Sequence, residues 1–443
     1  MTNQKLSGNI FFSFLCVLVI VSAGCIGADY VANRDIIVIK LNPDGTTAWT
    51  KLIDTGYDDA AQDMIETLDG DYVIAAQNSS GRMSPPRPRL IRLSSAGTVL
   101  WDRILSGSPG EPTAVIQTRD GGYAAASYDG DIWRVDPAGN TLWTRSTGIR
   151  GVWSVIGTGD SGFVIAGEQE GRIPFGSVTV YNTDGSVSSR QPYANETSRI
   201  PGCSETSIPA GPHETVMVTM CTAPYELVSQ AVAVKLDSRG NVSWQRSYGA
   251  EGLESAWSVI EASPDRGYLL SGFGKIPERN GSIANHIYAV QLASNGTALQ
   301  VTRLDRIEYF RPAQMRSISD GYAILFVNTT LKDGYYHHEP VEVHLDRNGH
   351  MMTMQPLDAG YIIAWTRDGG YFSAGFPVTG GSSEYSESIY GQARSDRLHA
   401  MKLNPDGSRA WDRTIPDVVV NHVRKVIQTS DGGYAILAVK ENY

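Results

Sequence analysis

Four histidines crowd into the segment "YYHHEPVEVHLDRNGH", where His337, His338, His344 and His350 offer the imidazole nitrogens that a zinc or copper ion would take. Their spacing argues against shared coordination. His344 falls in the middle of a strand-like run, His350 directly follows the turn residue Gly349, and His337 and His338 precede Pro340 in what reads as a loop. No metal is expected. The carboxylate pair Asp69 and Asp71, like the aspartates of "NPDG" and "TRDGG", stands where tight turns place such residues. General acid catalysis would also need a cleft that shifts a carboxyl pKa. No Gly-x-Ser-x-Gly elbow, phosphate-binding glycine loop or zinc-type cysteine spacing occurs. The expectation is a protein that is not an enzyme, with no catalytic residue and no cofactor.

Residues suited to recognition are better represented. The segments "QNSSGRMSPPRPR", "GKIPERNGSIAN", "NTTLKDGYYHHEP" and "FPVTGGSSEYSESIYGQARSDR" mix Tyr, Ser, Gly and Arg, which combine rigid aromatic contact with adaptable hydrogen bonding. Tyr335, Tyr336, Tyr385, Tyr390 and Arg394 are the candidate ligand-binding residues; plain solvated loops are the alternative. Six sequons, at Asn78, Asn195, Asn241, Asn280, Asn295 and Asn328, are compatible with N-glycosylation of an exported surface. The formal charge of -10 and the lack of a basic cluster exclude a nucleic-acid interface.

The elements that must position these residues come from two alternating phrases. One is "IKLNPDGTTAW", "IRLSSAGTVLW", "WRVDPAGNTLW", "VYNTDGSVSS", "VKLDSRGNVSW", "VQLASNGTALQ", "VHLDRNGHMMT" and "MKLNPDGSRAW". The other is centred on Tyr72, Tyr123, Phe163, Val216, Tyr268, Tyr322, Tyr371 and Tyr434, often as "DGGY". Glycine and aspartate between apolar runs make each phrase a hairpin. Two hairpins per period of about 50 residues give a four-stranded antiparallel blade. Eight copies of each phrase predict an all-β, eight-bladed β-propeller of four-stranded blades. Apolar strands such as "YVIAAQ", "FVIAGE" and "YAILAV" are expected beside the axis. The chain starts on one phrase and ends on the other, so a composite blade from both termini should close the ring and remove two exposed sheet edges. Strand parity puts the short turns on one face and the long, Tyr-rich loops on the other.

The first residues differ in composition from the rest. Lys5 followed by "IFFSFLCVLVIVSA" reads as a signal peptide, too short for a spanning helix. "VSAGC" resembles the lipobox of bacterial and archaeal lipoproteins, which would make Cys25 a lipidated N-terminus; ordinary cleavage near Ala23 or Ala28 is the alternative. The expected organisation is a signal peptide over 1–24, a tether over 25–34 and one propeller domain over 35–443. Cys16 leaves with the signal. Cys203 and Cys221 flank a turn centred on Pro212, so a symmetrical hairpin would set them face to face for a disulfide, with two unpaired buried cysteines as the alternative.

The Gly-x-x-x-Trp spacing resembles the tryptophan-docking repeat of pyrroloquinoline-quinone-type propellers, and "DGGY" resembles repeats common in exported archaeal proteins. This resemblance implies that Trp49, Trp101, Trp143, Trp244 and Trp411 stack on the turn of the neighbouring blade. Ser189, Gln300 and Thr353 take that position in three blades, whose joints should be looser. The quinone chemistry is not implied, because the chain lacks the adjacent cysteines of that family. The expected function is a monomeric scaffold for protein or glycan, held by a lipid at the outer face of the cytoplasmic membrane. Its format is comparable to the propeller lipoprotein of bacterial outer-membrane assembly. The alternative is an exported polysaccharide lyase or hydrolase.

Overall fold

Turn chemistry sets the repeat. In the computed structural model, Thr67 N donates to Asp71 O at 2.8 Å and Gly70 N to Thr67 O at 2.9 Å, with Gly70 at φ +84°, a conformation open to glycine at little cost. The same bonding pattern recurs at Thr118–Gly122, Thr366–Gly370 and Thr429–Gly433. The structure describes residues 33–442 apart from 81–83, 108, 151, 153–154, 159–161, 170–174, 193–205, 210–214, 223–228, 238–241, 249–254, 264–266, 278–282, 308, 333–334, 361, 376–397 and 417.

The first hairpin pairs β1 (Asn33–Leu41) with β2 (Thr47–Ile53). Blade one follows as β3 (Asp58–Glu66), β4 (Tyr72–Ser79), β5 (Arg87–Leu93) and β6 (Val99–Ile104). Blade two is β7 (Pro112–Gln117), β8 (Tyr123–Ser127), β9 (Asp131–Val135) and β10 (Thr141–Ser146). Blade three holds β11 (Ile149–Arg150), β12 (Val155–Gly157), β13 (Phe163–Gln169), β14 (Phe175–Tyr181) and β15 (Val187–Pro192). Blade four is β16 (Thr206–Pro209), β17 (Thr215–Thr222), β18 (Ser229–Leu236) and β19 (Val242–Ser247). Blade five is β20 (Ser255–Ser263), β21 (Gly267–Pro277), β22 (Ile283–Leu292) and β23 (Ala298–Ile307). Blade six is β24 (Tyr309–Ile318), β25 (Gly321–Lys332), β26 (Tyr335–Asp346) and β27 (Met351–Pro356). Blade seven is β28 (Ile362–Trp365), β29 (Tyr371–Gly375), β30 (His399–Leu403) and β31 (Arg409–Thr414). The chain ends with β32 (His422–Gln428) and β33 (Tyr434–Asn442).

Sheet order within a blade follows chain order, and the last two strands join the first two as β2-β1-β33-β32. This composite blade is an antiparallel sheet with an unbroken nine-residue register between β1 and β33, from Asn33 opposite Asn442 to Leu41 opposite Tyr434. The blades are four-stranded antiparallel sheets, and in blade three the first-strand position is taken by β11 and β12, which both pair with β13.

The axial strand was also misplaced by the sequence reading. The first strand of each blade lies innermost: β3 packs on β7 and β32, and β20 on β16 and β24. The apolar "YVIAAQ" strand is β4, second from the axis and buried along its whole length between neighbouring sheets. Apolar side chains from adjacent blades form the core there, as when Ile36, Val38 and Ile53 of the composite blade meet Met64, Tyr72, Ile74 and Ile91 of blade one. Polar "DDAAQDMIE" lies at the axis instead.

Indoles join the blades. Trp49 Nε1 donates to Ser95 O at 2.9 Å, Trp101 to Pro137 O at 3.2 Å, Trp143 to Thr183 O at 2.8 Å, Trp244 to Ser294 O at 2.9 Å and Trp411 to Pro43 O at 3.0 Å. Each acceptor lies in the last hairpin turn of the following blade. A Cβ built on Gly45 would stand 2.7 Å from the Trp411 ring, so only glycine lets the indole lie flat on the turn. Other contacts serve two joints without the indole. Thr302 Oγ1 donates to Gly349 O at 2.6 Å beside Gln300, and Leu357, in the same blade as Thr353, faces Gly407 of blade seven. Gly240, opposite Ser189, lies outside the described residues.

A cation on the third strand of several blades reaches the turn aspartate of the same blade. Lys40 meets Asp431 at 2.9 Å, Arg92 meets Asp71 at 2.8 Å and Lys402 meets Asp368 at 2.9 Å. Partial burial pulls Asp368 and Asp431 upward. The Thr366 and Thr429 hydroxyls and the two lysines outweigh it and hold both carboxyls at about 2. The folded value lies below the ordinary 3.8, so this stabilisation is complete above about pH 4 and is lost as pH falls through about 2. Both side chains are more than half exposed, so each contributes less than about 1 kcal/mol. The melting midpoint should therefore hold from neutral pH to about pH 4 and then fall. The double variant Asp368→Asn, Asp431→Asn should start lower and fall less steeply; parallel curves would show that these aspartates carry no share of acid sensitivity.

Candidate functional site

Bulges recur in the axial strands, between Ala61 and Asp63 in β3, Pro112 and Ala114 in β7, Ala256 and Ser258 in β20, and Val423 and Lys425 in β32. A bulge breaks the ladder and re-aims a side chain, which suits a channel wall. In the described arc from blade seven to blade two, polar groups link one axial strand to the next. Asp63 pairs with Lys425 on one side and accepts from Val115 N at 3.0 Å on the other. Gln62 Nε2 donates to Glu111 Oε1 at 2.5 Å. Near the turn face, Glu66 accepts from Ser430 N at 2.7 Å, Gln117 from Leu68 N at 2.8 Å and Gln428 from Arg367 N at 2.7 Å.

Charge is compensated at the other end of the same arc. Arg34 binds Asp58 through two bonds of 2.7 Å, and Arg89 binds Asp59 at 2.6 Å and also Asp102. Burial pushes the Asp59 carboxyl up, against hydrogen bonds from Thr55 and the charge of Arg89. Each of these carboxylates is already engaged by a cation or by hydrogen bonds, which suits a wall that binds by shape and hydrogen bonding better than one that moves protons. Among the described residues no group of three or more His, Cys, Asp or Glu could hold a metal ion. His344 lies on β26 within 3.1 Å of Glu342, while His350 follows the turn beside Asp346 at 3.3 Å, so the structure keeps them apart. His337 and His338 are strand residues opposite Thr330 and Thr329, not loop residues as the sequence suggested.

The second-to-third strand connections carry the candidate recognition surface. In blades five and six these strands run to 10–12 residues, against five in β8, β9, β29 and β30. The long pairs therefore continue beyond the common height of the blades as two-stranded ribbons. Tyr335 and Tyr336 belong to the blade-six ribbon, opposite Lys332 and Leu331, which corrects their placement in an irregular loop. Tyr385, Tyr390 and Arg394 lie outside the described residues, as do Cys25, Cys203, Asn195, Asn241 and Asn280. Cys221 sits on β17 opposite Gln230, and no disulfide is carried forward. Asn78 is buried on β4 and is no open glycosylation acceptor; Asn295 is exposed and caps its own turn through Thr297 N at 3.0 Å; Asn328 is half-buried on β25. Among the described residues no helix is long and apolar enough to cross a membrane.

No family model and no curated protein matches this chain. Among solved structures, the Dos1 propeller is similar at 8% identity over 85% of this chain and 92% of that one, with a TM-score of 0.54. BamB from Moraxella catarrhalis is similar at 11% identity over 90% and 98%, with a TM-score of 0.46. The C-terminal WD40 domain of Sif2 is similar at 8% identity over 86% and 97%, with a TM-score of 0.45. The Dos1 likeness shows the fold alone: the chain is a β-propeller. With no matching family model, the membership implied by the quinone-type resemblance is corrected to that fold, and the description as an archaeal-type lipoprotein is not carried forward.

Proposed function

We propose that the chain is an exported β-propeller that binds a protein or glycan through the face bearing the long ribbons of blades five and six. One observation carries this reading: among the described residues the longest strand pairs build up one face, as in β25–β26, whose pairing continues to Lys332 and Tyr335. A projecting ribbon on a rigid ring offers a pre-ordered surface, which lowers the ordering cost of binding. The apolar leader of residues 1–24 supports delivery to the outer face of the cell, where Cys25 would attach it.

The test is binding of purified protein to isolated cell envelopes and to a glycan array. Replacing residues 329–338 with a tight two-residue turn should weaken binding roughly tenfold or more, since an interface concentrates its energy in a few aromatic contacts. Undiminished binding by a variant with an unchanged melting midpoint would overturn the reading. So would turnover of a polysaccharide.

A further inference from the structure

The outermost strand of blade six, β27, departs from the repeat over a short stretch. His350, Met351, Met352 and Met354 stand where the composite blade has Thr46, Thr47, Ala48 and Thr50 in the same register. The first of these positions elsewhere closes the hairpin turn with a small polar side chain, as Thr46, Asn140, Ser186 and Ser408 do. Three of the chain's 10 methionines fall in this one phrase, "HMMTM".

Packing does not account for the exchange. Met351, Met352 and Met354 are 46%, 55% and 42% exposed, whereas a methionine used for packing fills gaps inside a core. The strand is not guarded as its counterparts are. Lys51, Arg103, Arg145, Arg246 and Arg413 each follow a docking indole by two residues and place a cation on the outer strand, where charge discourages pairing with other sheets. Blade six has Gln355 there, so no like charge stands on β27 to repel a bound cation. Arg347, the nearest cation along the chain, is bonded to Ser319 O at 2.6 Å.

His350 is oriented for coordination. Its backbone N–H donates to Asp346 Oδ1 at 2.9 Å, and its Nδ1 lies 3.3 Å from Asp346 Oδ2. A carboxylate on one ring nitrogen is the outer partner that fixes a metal-binding imidazole, and it leaves Nε2, on a side chain 60% exposed, as the ligand atom. The same backbone bond holds the Asp346 carboxyl below its ordinary range, so it stays charged as a counter-ion. Met351 is opposite Leu345 and Thr353 opposite His344, which makes Met352 the extra residue of a bulge. Strict alternation would send successive side chains to opposite faces; a bulge bends the strand and re-aims them. Three rotatable bonds let each thioether adjust its position.

We propose that His350, Met351, Met352 and Met354 form a surface site for a soft monovalent metal ion of the Cu(I) class on the outer rim of blade six. Thioethers favour Cu(I), whereas zinc takes thiolate, imidazole and carboxylate. One imidazole completes a ligand set of low coordination number. Among the described residues His, Cys, Asp and Glu alone form no metal group, and the thioethers are what this site adds. It lies at the opposite end of β26 from Tyr335, and neither this reading nor that of the ribbon surface depends on the other.

The test uses protein whose methionine methyl groups carry heavy carbon and whose thiols are alkylated beforehand, with Ag(I) as a redox-stable probe of the same preference. The methyl resonances of Met351, Met352 and Met354, assigned through Met351→Leu, Met352→Leu and Met354→Leu, should shift together and saturate before those of the other methionines. Cu(I) added without oxygen should reproduce the shifts, and zinc sulfate should cause none. The leucine variants keep volume and apolar character, and His350→Asn installs the residue type that blade two has as Asn140. Each should melt at the parent midpoint and bind silver at least about tenfold more weakly, the loss typical of even an outer partner. The proposal is overturned if the three resonances stay still, if all methionines shift alike, or if His350→Asn binds as tightly as the parent. It is also overturned if the resonances move with protein concentration and not with silver, which would make β27 a contact between copies of the chain.

Discussion

Removing residues 429–443 should abolish cooperative melting of the whole ring and not merely trim its end. The deleted segment contains β33, which lies between β1 and β32 in the composite blade and is buried from Tyr434 through Val439. Its loss strips β1 of its entire nine-residue register and leaves Ile36, Val38 and Leu41 without cover. It also takes away Asp431, the partner of Lys40, and Ser430, the partner of Glu66 on the next blade. A closed ring has no independent end at which the damage could stop, because each sheet supports the next. Circular dichroism melting and limited proteolysis will show the outcome. Deletion of residues 1–28 should leave the transition in place; an unchanged midpoint for the C-terminal deletion would mean that the composite blade does not close the ring.

Arg89→Ala should cost about 3–5 kcal/mol, as expected when one member of a buried ion pair is removed and its partner left charged. Its side chain is 3% exposed and that of Asp59 0%. Thr55 orients Asp59 from the other side through backbone and hydroxyl bonds of 2.8 Å, so the carboxylate cannot turn away to water. Denaturant unfolding measures the loss. The double variant Arg89→Met, Asp59→Leu should recover most of it, because apolar side chains of similar volume remove the uncompensated charge. A single-variant loss below about 1 kcal/mol would place this pair with weak surface bridges instead.

The hairpins and their joints were legible because local chemistry fixes them. Gly97 needs a positive φ, and Trp49, four residues after Gly45, is correctly spaced to reach the following turn. Position relative to the axis was not legible in the same way. Apolar content records how many sheets cover a strand, and β4 is covered on both faces, whereas Asp58, Asp59 and Asp63 on β3 are held at the axis by Arg34, Arg89 and Lys425 from strands remote in sequence. Tyr335 and His337 read as loop residues because their composition is polar and aromatic, although their backbones continue a sheet ladder. The methionines of β27 were missed for a different reason. They lie in an ordinary hairpin phrase, and only alignment with Thr47, Ala48 and Thr50 of the composite blade shows thioethers where that blade has small side chains.

The most direct test of a ribbon-face binding role is hydroxyl-radical footprinting of the protein on intact cells that carry it, compared with the purified protein. Ribbon-face binding predicts reduced labelling at Tyr335, Tyr336, Tyr385 and Tyr390 on the cells. Labelling should be unchanged at Leu68 and Leu142, which are 90% and 56% exposed near the opposite, turn-bearing face. Equal labelling of the tyrosines in both samples, or protection confined to the turn-bearing face, would contradict it.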